Sequence, residues 1–137
     1  MPTRRLRTDL VIPALNEASN IDALFDVLDT LGPDDVRHIV LADNGSTDDT
    51  AARAAARGAI VVHEPARGYG AACLRALAHL ATLDPPPEII TFLDADLADD
   101  PRALPTLLAP IRAGDAEIAI GSRVRLAAPG ALNLVQR

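Results

Sequence analysis

An α/β fold with a mainly parallel sheet and helices on both faces is the architecture the sequence predicts, and two observations predict it. Short β-branched apolar runs alternate with longer segments of helical spacing, from TDLVIP at Thr8–Pro13 to EIAI at Glu117–Ile120. Strands and helices alternating at this spacing form βαβ units with right-handed crossovers. Four of the runs also end on polar residues, and parallel strands present their carboxyl ends on one rim, where α/β sheets bind ligands. At 137 residues the chain has the size of one domain. A single domain over residues 1–123 is expected, with residues 124–137, VRLAAPGALNLVQR, as a tail without clear period.

The first strand, Thr8–Pro13, is closed by a proline that has no amide hydrogen for the ladder. After the loop PALNEAS, residues Ile21, Leu24, Phe25, Leu28 and Leu31 fall at helical spacing with Asp22, Asp26 and Asp29 opposite. This predicts an amphipathic helix over residues 18–31, stopped by Gly32-Pro33. The second strand is VRHIVLA, Val36–Ala42, ending on Asp43. A second helix is expected within NGSTDDTAARAAARG, where hydroxyl residues cap the start, acids occupy the first turn and Gly58 lies beyond the end.

Ile60–His63 is the third strand, followed by a loop containing Arg67-Gly68-Tyr69-Gly70 and an alanine- and leucine-rich helix over residues 71–83. Three prolines, Pro85–Pro87, form a stiff connector into EIITFLDADLADD. Its continuous apolar run, Ile89 to Leu93, predicts a strand buried on both faces. Pro101 suits the first turn of a helix carrying Leu104, Leu107, Leu108 and Ile111, closed by Gly114. Glu117–Ile120 is the fifth expected strand, ending Gly121-Ser122-Arg123.

Composition removes several classes of function. The net charge of −6 argues against a nucleic-acid partner, which calls for a basic face. All thirteen basic residues are arginine, so the lysine required by P-loop and Schiff-base chemistry is missing. Without it a phosphatase whose first Asp is the nucleophile also lacks its completing residue. A dinucleotide-binding domain would place G-x-G-x-x-G after the first strand, where this chain has PALNEA. Cys73 is the one cysteine, expected to be a buried structural thiol. No apolar run approaches the roughly 20 residues of a membrane helix, and a soluble, cytoplasmic chain is expected.

The polar strand ends then suggest chemistry. Asn16 and Glu17 follow the first strand, Asp43 and Asn44 the second, Glu64 and Arg67 the third, and Asp94 and Asp96 the fourth. Asp94 and Asp96 can direct hard oxygen ligands at one divalent cation, magnesium or manganese, held otherwise by water and ligand phosphates. Asp43, Asn44 and Glu17 offer acceptors and donors for a base or ribose. Gly68 and Gly70 allow close backbone approach before a helix N-terminus, a place suited to an anion. Together these groups fit a nucleotide diphosphate, whose departure the cation would assist.

The motifs PALNEASNI, LADNGSTDDT, EPARGYGAACLRAL, FLDADLADDP and IGSR, taken in order, resemble those of the family 2 glycosyltransferases, with their GT-A nucleotide-sugar-binding fold. The pattern is most similar to the polyprenyl-phosphate hexose transferases, the dolichyl-phosphate mannosyltransferase-like group. The resemblance implies a Rossmann-like GT-A domain that takes a hexose from a nucleotide-diphosphate sugar, of UDP-glucose or GDP-mannose type. It also implies a polyprenyl-phosphate acceptor at a membrane surface, and so a peripheral membrane location. By the same resemblance Pro13, Asn16 and Glu17 lie beside the nucleoside, Asp43 contacts the base and Asn44 lies close by. Asp94 and Asp96 hold cation and diphosphate as the catalytic pair, and Arg123 lies near the phosphates. The loop residues Arg67 and Gly68 are counted with the nucleotide-binding set on their own chemistry. Two departures stand out: Ala98 occupies a position where that group often has glutamine, and the chain ends soon after Arg123, where family members continue into the acceptor segment. A domain that binds the nucleotide sugar without transferring it is the alternative expectation.

Overall fold

The computed structural model describes residues 5–121, which fall into two compact units, one running through Arg102 and the other starting at Ala103. The expected boundary between residues 123 and 124 lies outside the described residues, as does Arg123. In the first unit β1 (Thr8–Ala14), β2 (Ile39–Asp43), β3 (Ile60–His63) and β4 (Ile89–Phe92) form one parallel sheet in the order β3-β2-β1-β4. They alternate with α1 (Ala18–Leu28), α2 (Thr50–Ala56) and α3 (Tyr69–Leu80).

The alternation of side chains along β1 sets the two layers. Leu10 and Ile12, joined by Leu41 of β2, meet Ile21, Leu24, Phe25 and Leu28 of α1 and Ala54 of α2. Val11, between them in sequence, packs on the opposite face with Val40, Ala42 and the α3 residues Ala72, Ala76 and Leu80. Every residue of β1 is buried. Each large aliphatic side chain taken from water there contributes about 1.5–3 kcal/mol.

Asp9 is the exception in composition, a carboxylate in a central strand with no exposure. Arg37 answers it with Nη2 2.7 Å from Oδ2 and Nε 3.0 Å from Oδ1, and the His38 amide adds a third donor at 3.0 Å. The His38 amide is thereby lost to the ladder, and the Arg37 amide bonds the Thr8 carbonyl at 2.7 Å out of register, so β2 begins at Ile39 rather than at the expected Val36.

Pro13 does not end β1, which runs on to Ala14 against Asp43. Its effect falls on the other neighbour. Leu93 donates its amide to the Val11 carbonyl at 3.0 Å, and the next rung on that side would need an amide hydrogen from Pro13, which has none. Pairing between β1 and β4 therefore stops there, and the chain after Leu93 is released above the sheet.

Two expectations about strands are corrected. β4 is buried on one face only: Ile89 and Thr91 are covered, while Ile90 and Phe92 remain exposed, because α3 packs over β1, β2 and β3 and leaves β4 uncovered. Residues 117–120 form no strand. An apolar run becomes a strand through its cross-strand partners more than through backbone preference. Among the described residues this run makes no ladder hydrogen bond, and Ile118 and Ile120 are exposed.

In the second unit α4 (Leu104–Arg112) buries Leu104 and Leu108, as the helical spacing predicts. Pro101 lies in a 3-10 turn, Pro101–Ala103, before the helix proper. No helix among the described residues is long and apolar enough to cross a membrane.

Candidate functional site

The polar strand ends of the first unit gather at one rim, and the loops that leave β1 and β2 are knitted together there. Asn16 sits in the left-handed region at φ 54, a conformation asparagine adopts more readily than most residues. Its amide donates to Ser46 Oγ at 2.9 Å, while its Oδ1 accepts from the Thr47 amide at 2.8 Å. The Glu17 amide donates to Thr50 Oγ1 at 2.9 Å and the Ala18 amide to Asp48 Oδ2 at 3.2 Å. Three successive amides at the start of α1 are thus taken by the S-T-D-D-T stretch. The hydroxyls read as a helix cap act across to the neighbouring loop, and α2 starts only at Thr50.

Asp48 anchors this joint. The Thr50 hydroxyl and amide both donate to it, and these bonds, the hydroxyl first, hold its carboxyl below the usual carboxylate range. Glu17 turns its carboxylate to Asn20, whose Nδ2 donates to Oε2 at 2.8 Å.

At the end of β2, Asp43 is buried, with Oδ1 accepting from the Ser46 amide at 3.2 Å and Oδ2 lying 3.4 Å from His63 Nδ1. A carboxylate has about four acceptor positions, so Asp43 retains capacity toward a ligand. Asn44 has a different task. Its Nδ2 donates to the Glu64 carbonyl at 2.9 Å and the Ala66 carbonyl at 2.7 Å, and its Oδ1 accepts the Gly68 amide at 2.9 Å. Asn44 therefore fixes the loop between β3 and α3 more than it presents itself to solvent.

That loop walls a cavity of about 280 Å³, lined by Pro13, Ala14, Leu15, Asn44, Arg67, Gly68, Tyr69 and Ala72. Gly68 adopts φ 131, ψ 145, a combination open almost only to glycine. Arg67 is exposed at the cavity wall.

Beyond β4 Asp94 and Asp96 are exposed on either side of buried Ala95. Leu97 is left-handed at φ 64, and the Ala98 amide donates to Asp96 Oδ1 at 3.0 Å. Tyr69, the first residue of α3, carries its phenol at the cavity wall. Burial first, and then the Asp94 charge, push that phenol up to about 12. Burial also raises the Cys73 thiol, in keeping with a structural cysteine.

No group of three or more His, Cys, Asp or Glu side chains among the described residues forms a metal cage. Two exposed carboxylates suit a magnesium- or manganese-type ion that completes its shell with water and phosphate oxygens. The residues fit a cation that arrives with a nucleotide.

The structure brings Pro13, Asn44, Arg67 and Gly68 together at the cavity, while Asp94 follows β4 at the same sheet edge without lining it. Asp43 adjoins Asn44 in the chain, Asn16 and Glu17 belong to the joint, and Asp96 is exposed like Asp94. Leu15 and Ala72 were not singled out by sequence, having no polar group to mark them. The reach of Ser46 and Asp48 across to α1 likewise gave no local signal.

Comparison with known proteins adds to this geometry. The chain is 36% identical over 115 residues to glucosyl-3-phosphoglycerate synthase of Mycobacterium tuberculosis, covering 77% of this chain and 34% of that protein. It is 39% identical over 114 residues to an uncharacterized glycosyltransferase of Mycobacterium bovis, covering 83% of this chain and 47% of that one. A crystal structure of the M. tuberculosis synthase in complex with Mn2+, uridine-diphosphate-glucose and phosphoglyceric acid superposes with TM-score 0.67 at 36% identity, over 80% of this chain and 41% of that chain. Another, in complex with uridine-diphosphate, gives 0.69 at 32% identity over 88% and 47%. The chain spans between a third and a half of the length of these curated relatives. The GT-A fold is thereby shown, whereas the narrower likeness to polyprenyl-phosphate hexose transferases finds no support in relatives named for phosphoglycerate. The family model for glycosyl transferase family 2 matches residues 9–130, most of the sequence, and the chain belongs to that family.

Proposed function

We propose that the rim of the first unit is the donor site of a hexosyltransferase that uses a UDP-sugar and a divalent cation. The observation that carries this reading is the shared rim of the parallel sheet: the exposed Asp94 and Asp96 follow β4 at the sheet edge where the cavity bounded by Pro13 and Gly68 lies. Pro13, Asn16 and Glu17 flank the nucleoside, and Asp43 accepts from the base or ribose with the acceptor positions it retains. Asn44 holds the loop that brings Arg67 and the Gly68 backbone toward the diphosphate. Asp94 and Asp96 hold magnesium or manganese. The bound cation supplies charge stabilisation to the departing diphosphate.

The relatives bear on the nucleotide and the acceptor. The M. tuberculosis synthase has been crystallised with Mn2+ and uridine-diphosphate, which favours UDP over GDP here. Its complexes with phosphoglyceric acid favour a small phosphorylated acid over a polyprenyl phosphate as acceptor. A hydroxyl acceptor of that kind needs a general base, whereas a lipid phosphate is already an anionic nucleophile. Because the chain spans part of its relatives, donor binding is proposed for these residues and transfer for the whole protein.

The test is transfer of labelled glucose from UDP-glucose, offered 3-phosphoglycerate and a polyprenyl phosphate side by side. Label in phosphoglycerate alone supports the reading. Label in the lipid alone overturns the acceptor assignment, and a preference for GDP over UDP in manganese-dependent binding overturns the donor assignment.

A further inference from the structure

Asp43 is the acceptor offered to the nucleoside, and its geometry is set by a neighbour to which the donor-site reading gives no task. It is the last residue of β2 and is buried, so its carboxylate depends on the donors around it. Among the described residues it accepts one hydrogen bond, from the Ser46 amide to Oδ1 at 3.2 Å, while Oδ2 lies 3.4 Å from Nδ1 of His63, an exposed imidazole. Gly45, at φ 86, turns the chain back so that an amide three residues on meets the carboxylate it has passed. A turn with glycine inside it has little stiffness of its own.

The stiffness comes from the loop after β1. The Ser46 hydroxyl accepts the Asn16 amide at 2.9 Å, 30 residues away in sequence, and the Thr47 amide donates to Asn16 Oδ1 at 2.8 Å. Asn16 is gripped at backbone and side chain by two adjacent residues, and this grip holds it in the left-handed region at φ 54. Ser46 is where the clasp meets the site: its hydroxyl belongs to the clasp, its amide to Asp43.

We propose that Ser46 is a positioning residue for the nucleoside: its hydroxyl, by accepting the Asn16 amide, seats the turn whose amide engages Oδ1 of Asp43 and leaves Oδ2 to meet a base or ribose donor. This rests on the donor-site reading above. A hydroxyl suits the task because it accepts from an amide without placing a charge beside Asp43, where a charged group would compete with the ligand. Without it the turn is tied to Asn16 through Thr47 alone, and the carboxylate shifts from the place a ligand hydrogen must reach. Hydrogen bonds weaken steeply with misalignment, so the loss falls on the nucleoside end of the ligand.

The experiment follows binding of UDP and of inorganic pyrophosphate, each with Mn2+, by calorimetry in wild type, Ser46→Ala and Ser46→Thr. Ser46→Ala is expected to weaken UDP roughly fivefold, the worth of one neutral hydrogen bond, with pyrophosphate affinity unchanged. Ser46→Thr keeps the hydroxyl and should bind UDP as the wild type does. Unchanged UDP affinity in Ser46→Ala overturns the proposal, and so does a Ser46→Thr variant as weak as Ser46→Ala. An equal loss for both ligands also overturns it, because Ser46 would then support the rim as a whole. Adding Ser46→Ala to Asp43→Ala asks whether the effect runs through Asp43: no further loss of UDP affinity is expected, and an additive loss overturns the proposal. The comparison of UDP with pyrophosphate decides without this pair, should removal of the buried carboxylate unfold the chain. A wild type that binds pyrophosphate as tightly as UDP, or binds neither, overturns the donor-site reading itself and the proposal with it.

Discussion

The Asn44 side-chain oxygen accepts the Gly68 amide at 2.9 Å, across 24 residues of sequence, and this bond fixes where α3 begins. With the two carbonyls held by its nitrogen, Asn44 ties the end of β2 to the whole loop that follows β3. Asn44→Ala leaves those carbonyls and the Gly68 amide without partners. We expect a loss of about 2 kcal/mol in urea unfolding, together with weaker UDP binding as Arg67 and Gly68 lose their placement. Unchanged stability with unchanged binding would show that the loop holds itself.

The pair formed by Asp9 and Arg37 makes a separate prediction about the scaffold. Arg37→Ala strands a carboxylate that has no exposure, and the expected cost is about 3 kcal/mol. Replacing both, Asp9→Leu with Arg37→Met, removes the buried charge as well and should cost markedly less. Urea denaturation of the three variants checks the order. A double variant less stable than Arg37→Ala would contradict it.

The joint between the first two loops should respond to acid. The folded pKa of Asp48 is depressed, chiefly by the Thr50 hydroxyl, so its contribution is complete above the ordinary value of 3.8 and is lost as pH falls through the lower folded value. The amide signals of Ala18 and Thr50, both donors to Asp48, should follow one NMR titration with a midpoint below 3.8. A midpoint at or above that value contradicts the assignment.

Local pattern made some of this legible and long-range contact hid the rest. β1, β3 and α1 follow from apolar period and punctuation because their residues are chosen by the layer they face. β2 starts late because a buried carboxylate on β1 takes the His38 amide, a contact 29 residues distant that no window of sequence reveals. The same reason delayed α2, whose hydroxyl cap was drawn to α1. The fifth strand was read from four apolar residues alone, and a strand is completed only by its partner. At the site, the acids after β4 and the glycine before α3 were visible because their chemistry is unusual at strand ends. Leu15 and Ala72 were not, since their place at the cavity depends on how β1 and α3 sit together.

The central claim is that Asp94 and Asp96 hold a cation that carries the nucleotide diphosphate. Calorimetric titration of UDP into the wild-type chain and Asp96→Ala, each with and without Mn2+, tests it most directly. The account predicts that Mn2+ strengthens UDP binding to the wild type, and that Asp96→Ala abolishes this gain while its affinity without metal stays the same. Equal strengthening by Mn2+ in the two proteins would contradict it.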